Sequence, residues 1–297
     1  MVEASIHPAL APLRSHFFPL GTNQERLHYV DEGQGEALVF LHGNPTWSFY
    51  FYPQLLAFRD RYRVLALDHL GCGLSSKPEK GDYRLEAHIM RLEAWIESLG
   101  LTSLTLVVHD WGGAIGMGYA TRHPEHIRRM VITNSAAFLS PDIPKRIAFC
   151  RLPWIGEWAM RRWNAFARAA VSMASAKGLS IHAKKGLLAP YGSYADRVGI
   201  ARFVQDIPLK KGDPSYGTLK RIQYELPTLR MPVLFLWGMQ DFCFHKGFLA
   251  RWIAYFPQGK VVRFEKAGHY LFWDEAETCI AIITEFLAHD PKGVEKK

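Results

Sequence analysis

Cysteine is scarce in this chain. Cys72, Cys150, Cys243 and Cys279 stand far apart among 297 residues and form no CxxC pair. Their spacing excludes the common zinc and dithiol motifs and fits the reduced thiols of a cytoplasmic protein. Apolar runs are short, and none approaches the ~20 residues of a membrane span. Met1 to Phe18 carries prolines and polar residues where an export signal needs an unbroken apolar block, so no signal is expected. Repeats and low-complexity tracts are lacking. A GxG occurs in Asp68-His69-Leu70-Gly71-Cys72-Gly73-Leu74-Ser75, but without the full spacing or the ribose-binding acid of a dinucleotide site, so it reads as a structural turn. No nucleic-acid motif accompanies the basic charge, and nothing calls for a cofactor or a metal.

What the chain does have is apolar residues, 48% of the total, enough for a substantial core. Short apolar runs alternate with amphipathic segments, the pattern of a mostly parallel sheet flanked by helices. Strands are expected at residues 37–41, 62–67, 104–109, 128–133, 233–237 and 261–264. Helices are expected at 84–99, where Leu85, Ile89, Leu92 and Ile96 recur at helical spacing, and at 114–122, 244–255 and 273–287. The tail from Pro291 to Lys297 should fray. Between Ser140 and Thr228 the strand rhythm stops and short helices are expected, which predicts a helical cap (140–228) inserted into a core made of 1–139 and 229–297. The net charge of +8 is concentrated there: the cap holds fifteen Lys/Arg against six Asp/Glu, and the rest of the chain is near neutral. A solvated basic surface is the plain interpretation, and an acidic protein partner or an anionic membrane the sharper one. The cap aromatics Trp154, Trp158, Trp163 and Phe166 are expected to pack cap against core.

The chemistry is concentrated in Leu106-Val107-Val108-His109-Asp110-Trp111-Gly112-Gly113. A β-branched run, a tight turn and helix-compatible sequence follow in order, the setting in which an α/β hydrolase presents its nucleophile on a strained elbow. Here the elbow carries a carboxylate, Asp110. Attack by a carboxylate on an ordinary ester would give an anhydride, whereas attack on an sp³ carbon gives an ester that water can cleave. Displacement at carbon is therefore expected, with a halide, an epoxide oxygen or a lactone oxygen leaving.

A base and an orienting acid should follow in the order nucleophile, acid, histidine. His269, in Glu265-Lys266-Ala267-Gly268-His269, lies in a glycine-containing loop after the last strand. Asp241 follows the strand at 233–237, while the other location for an acid reads Asn134-Ser135-Ala136-Ala137 and offers none. Asp241 could also serve as N-cap of the next helix. Asp142 and Asp206 are weaker candidates. The turn His42-Gly43-Asn44-Pro45 should supply a backbone N–H at Asn44, paired with that of Trp111, to stabilise an oxyanion. The side-chain N–H groups of Asn44 and Trp111 would hold a departing anion. His42 and His109 are expected to be buried and hydrogen-bonded.

With the Asp elbow, the HGNP turn, the DHxGxGxS segment, the GxxD loop and the GH loop, the chain resembles the haloalkane dehalogenase family from about Phe18 to Leu287. The resemblance implies an α/β-hydrolase fold with a cap, Asp110 as nucleophile, His269 as base, Asp241 as acid, and Asn44 with Trp111 as leaving-group donors. Aspartate after the late strand together with Asn44 is similar to the third subfamily. The cap segments Leu188–Tyr191 and Arg202–Leu209 are similar to β-lactone decarboxylases of bacterial olefin synthesis, which turn cis-β-lactones into cis-alkenes and carbon dioxide, and which work in large assemblies.

Two activities at one site are thus nearly balanced: hydrolysis of a haloalkane, and decarboxylation of a β-lactone. An epoxide hydrolase ranks third, since it needs cap tyrosines such as Tyr191, Tyr194, Tyr216 or Tyr224 to protonate the epoxide oxygen. A non-catalytic binding protein should have lost the nucleophile or base, and both are present. Substrate chain length and oligomeric state leave no mark in the sequence.

Overall fold

The computed structural model describes residues 7–21, 24–152 and 154–289, so the tail expected to fray lies outside the described residues. Eight strands form one sheet in the order β1-β2-β4-β3-β5-β6-β7-β8. β1 (Ser15–Leu20) and β2 (Glu25–Glu32) make an antiparallel edge. β3 (Ala37–Leu41), β4 (Arg63–Leu67), β5 (Leu104–Asp110), β6 (Ile127–Ser135), β7 (Val233–Gly238) and β8 (Lys260–Phe264) run parallel. All six parallel strands lie where the apolar runs predict them. β1 and β2 were not expected, because a half-buried antiparallel edge interleaves polar residues and shows no continuous apolar run.

Side chains alternate between the two faces of the sheet. Val39 and Leu41 of β3 join α2 (Leu85–Ser98), α3 (Trp111–Arg122) and α10 (Lys246–Tyr255) in one core cluster, while Leu38 and Phe40 join α1 (Tyr52–Phe58) and α12 (Ala276–Ala288) in the other. The closing helix expected at 273–287 is two helices, α11 (Leu271–Asp274) and α12, separated at Glu275.

Among the described residues between β6 and β7 lie six α-helices: α4 (Lys145–Cys150), α5 (Ile155–Trp163), α6 (Ala165–Met173), α7 (Ile181–Leu188), α8 (Val198–Gln205) and α9 (Tyr216–Glu225). The packing of three cap aromatics differs from expectation. Trp154, Trp158 and Trp163 are 88%, 49% and 53% exposed. α5 turns Gly156, Met160 and Arg161 inward, which leaves the indoles on its outer side. Phe166 alone of the four is packed inside, between the second core cluster and a smaller one formed by Met160, Ala201 and Val204. Among the described residues no helix is long and apolar enough to cross a membrane.

Candidate active site

β5 ends at Asp110, whose backbone has φ 51° and ψ −125°, a left-handed geometry that non-glycine residues seldom adopt. The turn is held from both sides. Ser135 Oγ donates to the Asp110 carbonyl at 2.6 Å, and Gly112 lies so close to the Leu41 carbonyl that a Cβ would overlap it. The elbow thus lifts the carboxylate off the sheet toward the HGNP turn.

There the Asn44 backbone N–H donates to Asp110 Oδ1 at 2.7 Å, and the Trp111 backbone N–H also stabilises the carboxylate. Burial pushes the Asp110 carboxyl above its ordinary pKa, opposed by His269 and by these two amides. The other oxygen, Oδ2, lies 3.8 Å from His269 Nε2, and His269 Nδ1 pairs with Asp241 Oδ2 at 2.8 Å. The Asp110 carboxylate, the His269 imidazole and the Asp241 carboxylate therefore stand in one buried row. Burial lowers the His269 pKa, but Asp241 and then Asp110 outweigh it, so the imidazole is more basic than an ordinary histidine.

Asp241 does not cap the following helix. Its Oδ1 accepts from the Cys243 N–H at 2.6 Å, within its own loop. α10 starts five residues later, capped by His245, whose Nδ1 accepts from Gly247. Neither Asp142 nor Asp206 pairs with His269, although Asp142 lies on the wall of the central cavity. Asp142 is exposed beside His245, and Asp206 accepts from Leu85 N–H and Ser215 Oγ at the start of α2.

The Asn44 side chain is partly committed: Nδ2 donates to the Ile200 carbonyl at 3.1 Å, which leaves one N–H of the amide. Trp111 lines the central cavity, and its indole N–H has no acceptor among the described residues. The cavity holds about 390 Å³ and touches Asp110, His269, Asn44 and Trp111; most other walls are apolar, among them Phe138, Ile147, Met160, Val204, Phe244 and Phe248. Tyr191, Tyr194, Tyr216 and Tyr224 are absent from its lining, where Tyr270 is the one tyrosine. The Tyr191 hydroxyl instead bridges the Thr46 carbonyl and the Gly73 N–H.

His42 and His109 are fully buried, as expected. His42 Nε2 accepts from the His69 N–H, which puts its proton on Nδ1 facing the Gly43 carbonyl. His109 pairs with Thr133, stacks 4.4 Å from Tyr50 and also lies 4.4 Å from the His269 ring. Asp68 accepts from His28, Ser48 and Leu74, which makes the GxG segment a braced turn.

Two supports went unseen in the sequence. Asn134, in the place where an acid was sought, exchanges both hydrogen bonds with Gly238 and so fixes the base of the Asp241 loop. Asp274 accepts from the Gly268 N–H and from Ser175, Ala176 and Lys177, tying the His269 loop to the segment after α6. Each is a single polar residue beside an apolar run, and neither residue stands in a spacing pattern that would mark it.

Residues 36–276 match the model of the α/β hydrolase fold family, and the chain belongs to that family. It is 43% identical over 290 residues to a cis-3-alkyl-4-alkyloxetan-2-one decarboxylase of Shewanella oneidensis, a match that covers 94% of this chain and 89% of the relative. Haloalkane dehalogenase 2 of Mycobacterium tuberculosis is 31% identical over 290 residues, covering 96% and 98%. The crystal structure of the haloalkane dehalogenase DatA of Agrobacterium tumefaciens superposes with a TM-score of 0.83 at 25% identity, covering 95% of this chain and 99% of that one. The chain is thus an enzyme of this fold, and the resemblance to the dehalogenases and β-lactone decarboxylases holds across nearly its whole length.

Proposed function

We propose that the protein decarboxylates cis-3-alkyl-4-alkyloxetan-2-ones, with Asp110 as nucleophile. The observation that carries the substrate class is the 43% identity to a decarboxylase of that name over 94% of the chain. Asp110 attacks ring carbon 4 from the face opposite the ring oxygen, so the carbon–oxygen bond breaks with inversion and a carboxylate is freed. The amide of Asn44 and the indole of Trp111 receive that carboxylate. Loss of carbon dioxide breaks the bond between carbons 2 and 3. The electron pair forms the alkene and expels Asp110. Inversion followed by anti elimination turns a cis-lactone into a cis-alkene, and the balance needs no water, oxidant or cofactor. The apolar cavity suits two alkyl chains and keeps water from the intermediate.

A second activity of the same groups is halide displacement, favoured by the free Trp111 indole N–H in the cavity wall beside the nucleophile. There His269, oriented by Asp241, activates water against the alkyl ester on Asp110. The buried or half-buried unpaired thiols fit a cytoplasmic setting for either chemistry.

The test is one NMR time course with 1-bromohexane and a cis-dialkyl β-lactone together, beside Asp110→Ala. Cis-alkene from the lactone, with slower bromide loss, is the expected result. Alcohol from the bromide with the lactone untouched would reverse the assignment.

A further inference from the structure

The outer side of α4, α5 and α6 is an apolar face that no part of the described chain covers. Phe149, Leu152, Trp154, Ile155, Trp158 and Trp163 are all exposed there, and the Trp158 and Trp163 rings meet edge to face at 4.4 Å. The helices that carry them pack successively on one another, α4 on α5 and α5 on α6, which keeps these exposed side chains on neighbouring elements. A patch this rich in aromatics on a single outer surface is unusual unless something binds it.

Charge says what binds. Residues 143–185 hold nine Lys/Arg and a single acid, Glu157, and Glu157 is itself paired with Arg161 and Arg202. Among the described residues Lys145, Arg162, Arg168, Lys184 and Lys185 are exposed and make no ion pair. Indoles and aliphatic side chains flanked by uncompensated cations are the signature of a surface that lies in the headgroup region of an anionic membrane. Tryptophan in particular prefers that interface.

The patch is continuous with the cavity. Phe149 and Met173 are 55% and 41% exposed, yet both line the central pocket, and Arg146 reaches Met173 Sδ at the same rim. The pocket therefore opens within the patch. We infer that this face docks on an anionic phospholipid bilayer, from which the apolar substrate passes into the cavity between α4 and α6. The entry route rests on the decarboxylase assignment. The docking surface does not, and it is tested without substrate.

Full-length protein would be sedimented with vesicles of phosphatidylcholine alone and of phosphatidylcholine mixed with phosphatidylglycerol, with tryptophan emission read in parallel. Binding to the anionic vesicles, with a blue shift and a loss of about tenfold or more at high salt, is expected. Trp154→Ser/Trp158→Ser and Arg162→Glu/Arg168→Glu should each abolish it while leaving turnover of a water-soluble short-chain substrate unchanged, which also shows that both variants fold. A wild type that ignores both vesicle types, or variants that bind as well as wild type, would overturn the proposal. So would a wild-type dimer that either variant dissolves, since the face would then belong to a second copy. Vesicle binding by a protein inactive on β-lactones would keep the docking surface and remove the entry route.

Discussion

The sheet with its C-terminal loops and the helical segment between β6 and β7 differ in what they turn to solvent. Around the elbow the loops are held by buried polar anchors: Asp68, Asp241, Asp274 and Asn134 each make two or more hydrogen bonds, while Asn44 Oδ1 and His109 Nε2 are buried without a partner among the described residues. Breaking the bonds of these anchors would leave further buried polar groups unsatisfied, and that cost holds the loops and the side chains they carry in place. The helical segment is bonded as densely inside, through Arg161 to Glu79 and Glu157, Arg197 to the Tyr191 and Gly192 carbonyls, and Arg202 and Gln205 to Glu157. On its outer side, however, it turns aromatics and cations to solvent. Under the proposed function the loops carry the reacting groups, and the segment above them supplies much of the cavity wall, among it Ile147, Met160 and Val204. Relatives with two different activities on one fold are consistent with this division.

The largest effect should come from breaking the rigid half. Asp110→Ala removes the attacking atom, and turnover of lactone and bromide alike should fall by about 10⁴-fold or more. His269→Gln separates the two chemistries. With 1-bromohexane it should release one equivalent of bromide and then stop, leaving a hexyl ester on Asp110 visible by intact-protein mass spectrometry. Continued alcohol production by this variant would show that water is activated elsewhere.

Asp241→Asn acts through His269 and should be milder, about 10²- to 10⁴-fold on bromide hydrolysis. Its stronger signature is the pH profile. Asp241 is the main group raising the His269 pKa against burial, and the base works only when neutral. Rate in the wild type should therefore rise as pH climbs through a value above that of an ordinary histidine. Replacing Asp241 should move this limb to lower pH. The linkage to stability runs the other way: a raised pKa stabilises the fold at acid pH, and this contribution fades as pH rises through the folded value. A limb unmoved by the substitution would mean that Asp241 does not set the charge of His269.

The same division explains what could be read from the sequence. Buried parallel strands are runs of apolar residues, so all six were visible, and the elbow, the HGNP turn and the GH loop mark their ends. Asp110, Asn44, Asp241 and His269 converge because the sheet delivers each strand end to the same edge, which order along the chain already implies. The antiparallel pair β1 and β2 was hidden by Glu25, Arg26, Asp31 and Glu32 among its apolar residues. Trp154, Trp158 and Trp163 misled because an indole is usually a core residue. Only the direction of α5, set by Gly156 and Met160 facing inward, shows that they point out. Spacing along short helices of six to nine residues is too little to fix that direction.

The smallest effects should sharpen the boundary between the halves. Gly199, at the start of α8, meets Gly71 of the braced turn so closely that a Cβ on either would overlap the other's backbone. Gly71 also has φ 84°, a conformation open mainly to glycine. This is where the helical segment seats on the core. Gly199→Ala should force them apart at a cost of about 1–3 kcal/mol, a loss of several degrees in Tm. Because Ile200 carries the carbonyl that fixes Asn44, KM should rise more than kcat falls. Trp154→Ser, on the outer side of the same segment, should change stability by no more than about 0.5 kcal/mol, since its side chain leaves nothing behind to repack. Thermal unfolding of both variants gives the comparison directly. A Trp154→Ser protein that melts as early as Gly199→Ala would mean that the indole is packed in solution, and the outward face of the segment would no longer stand apart from its core.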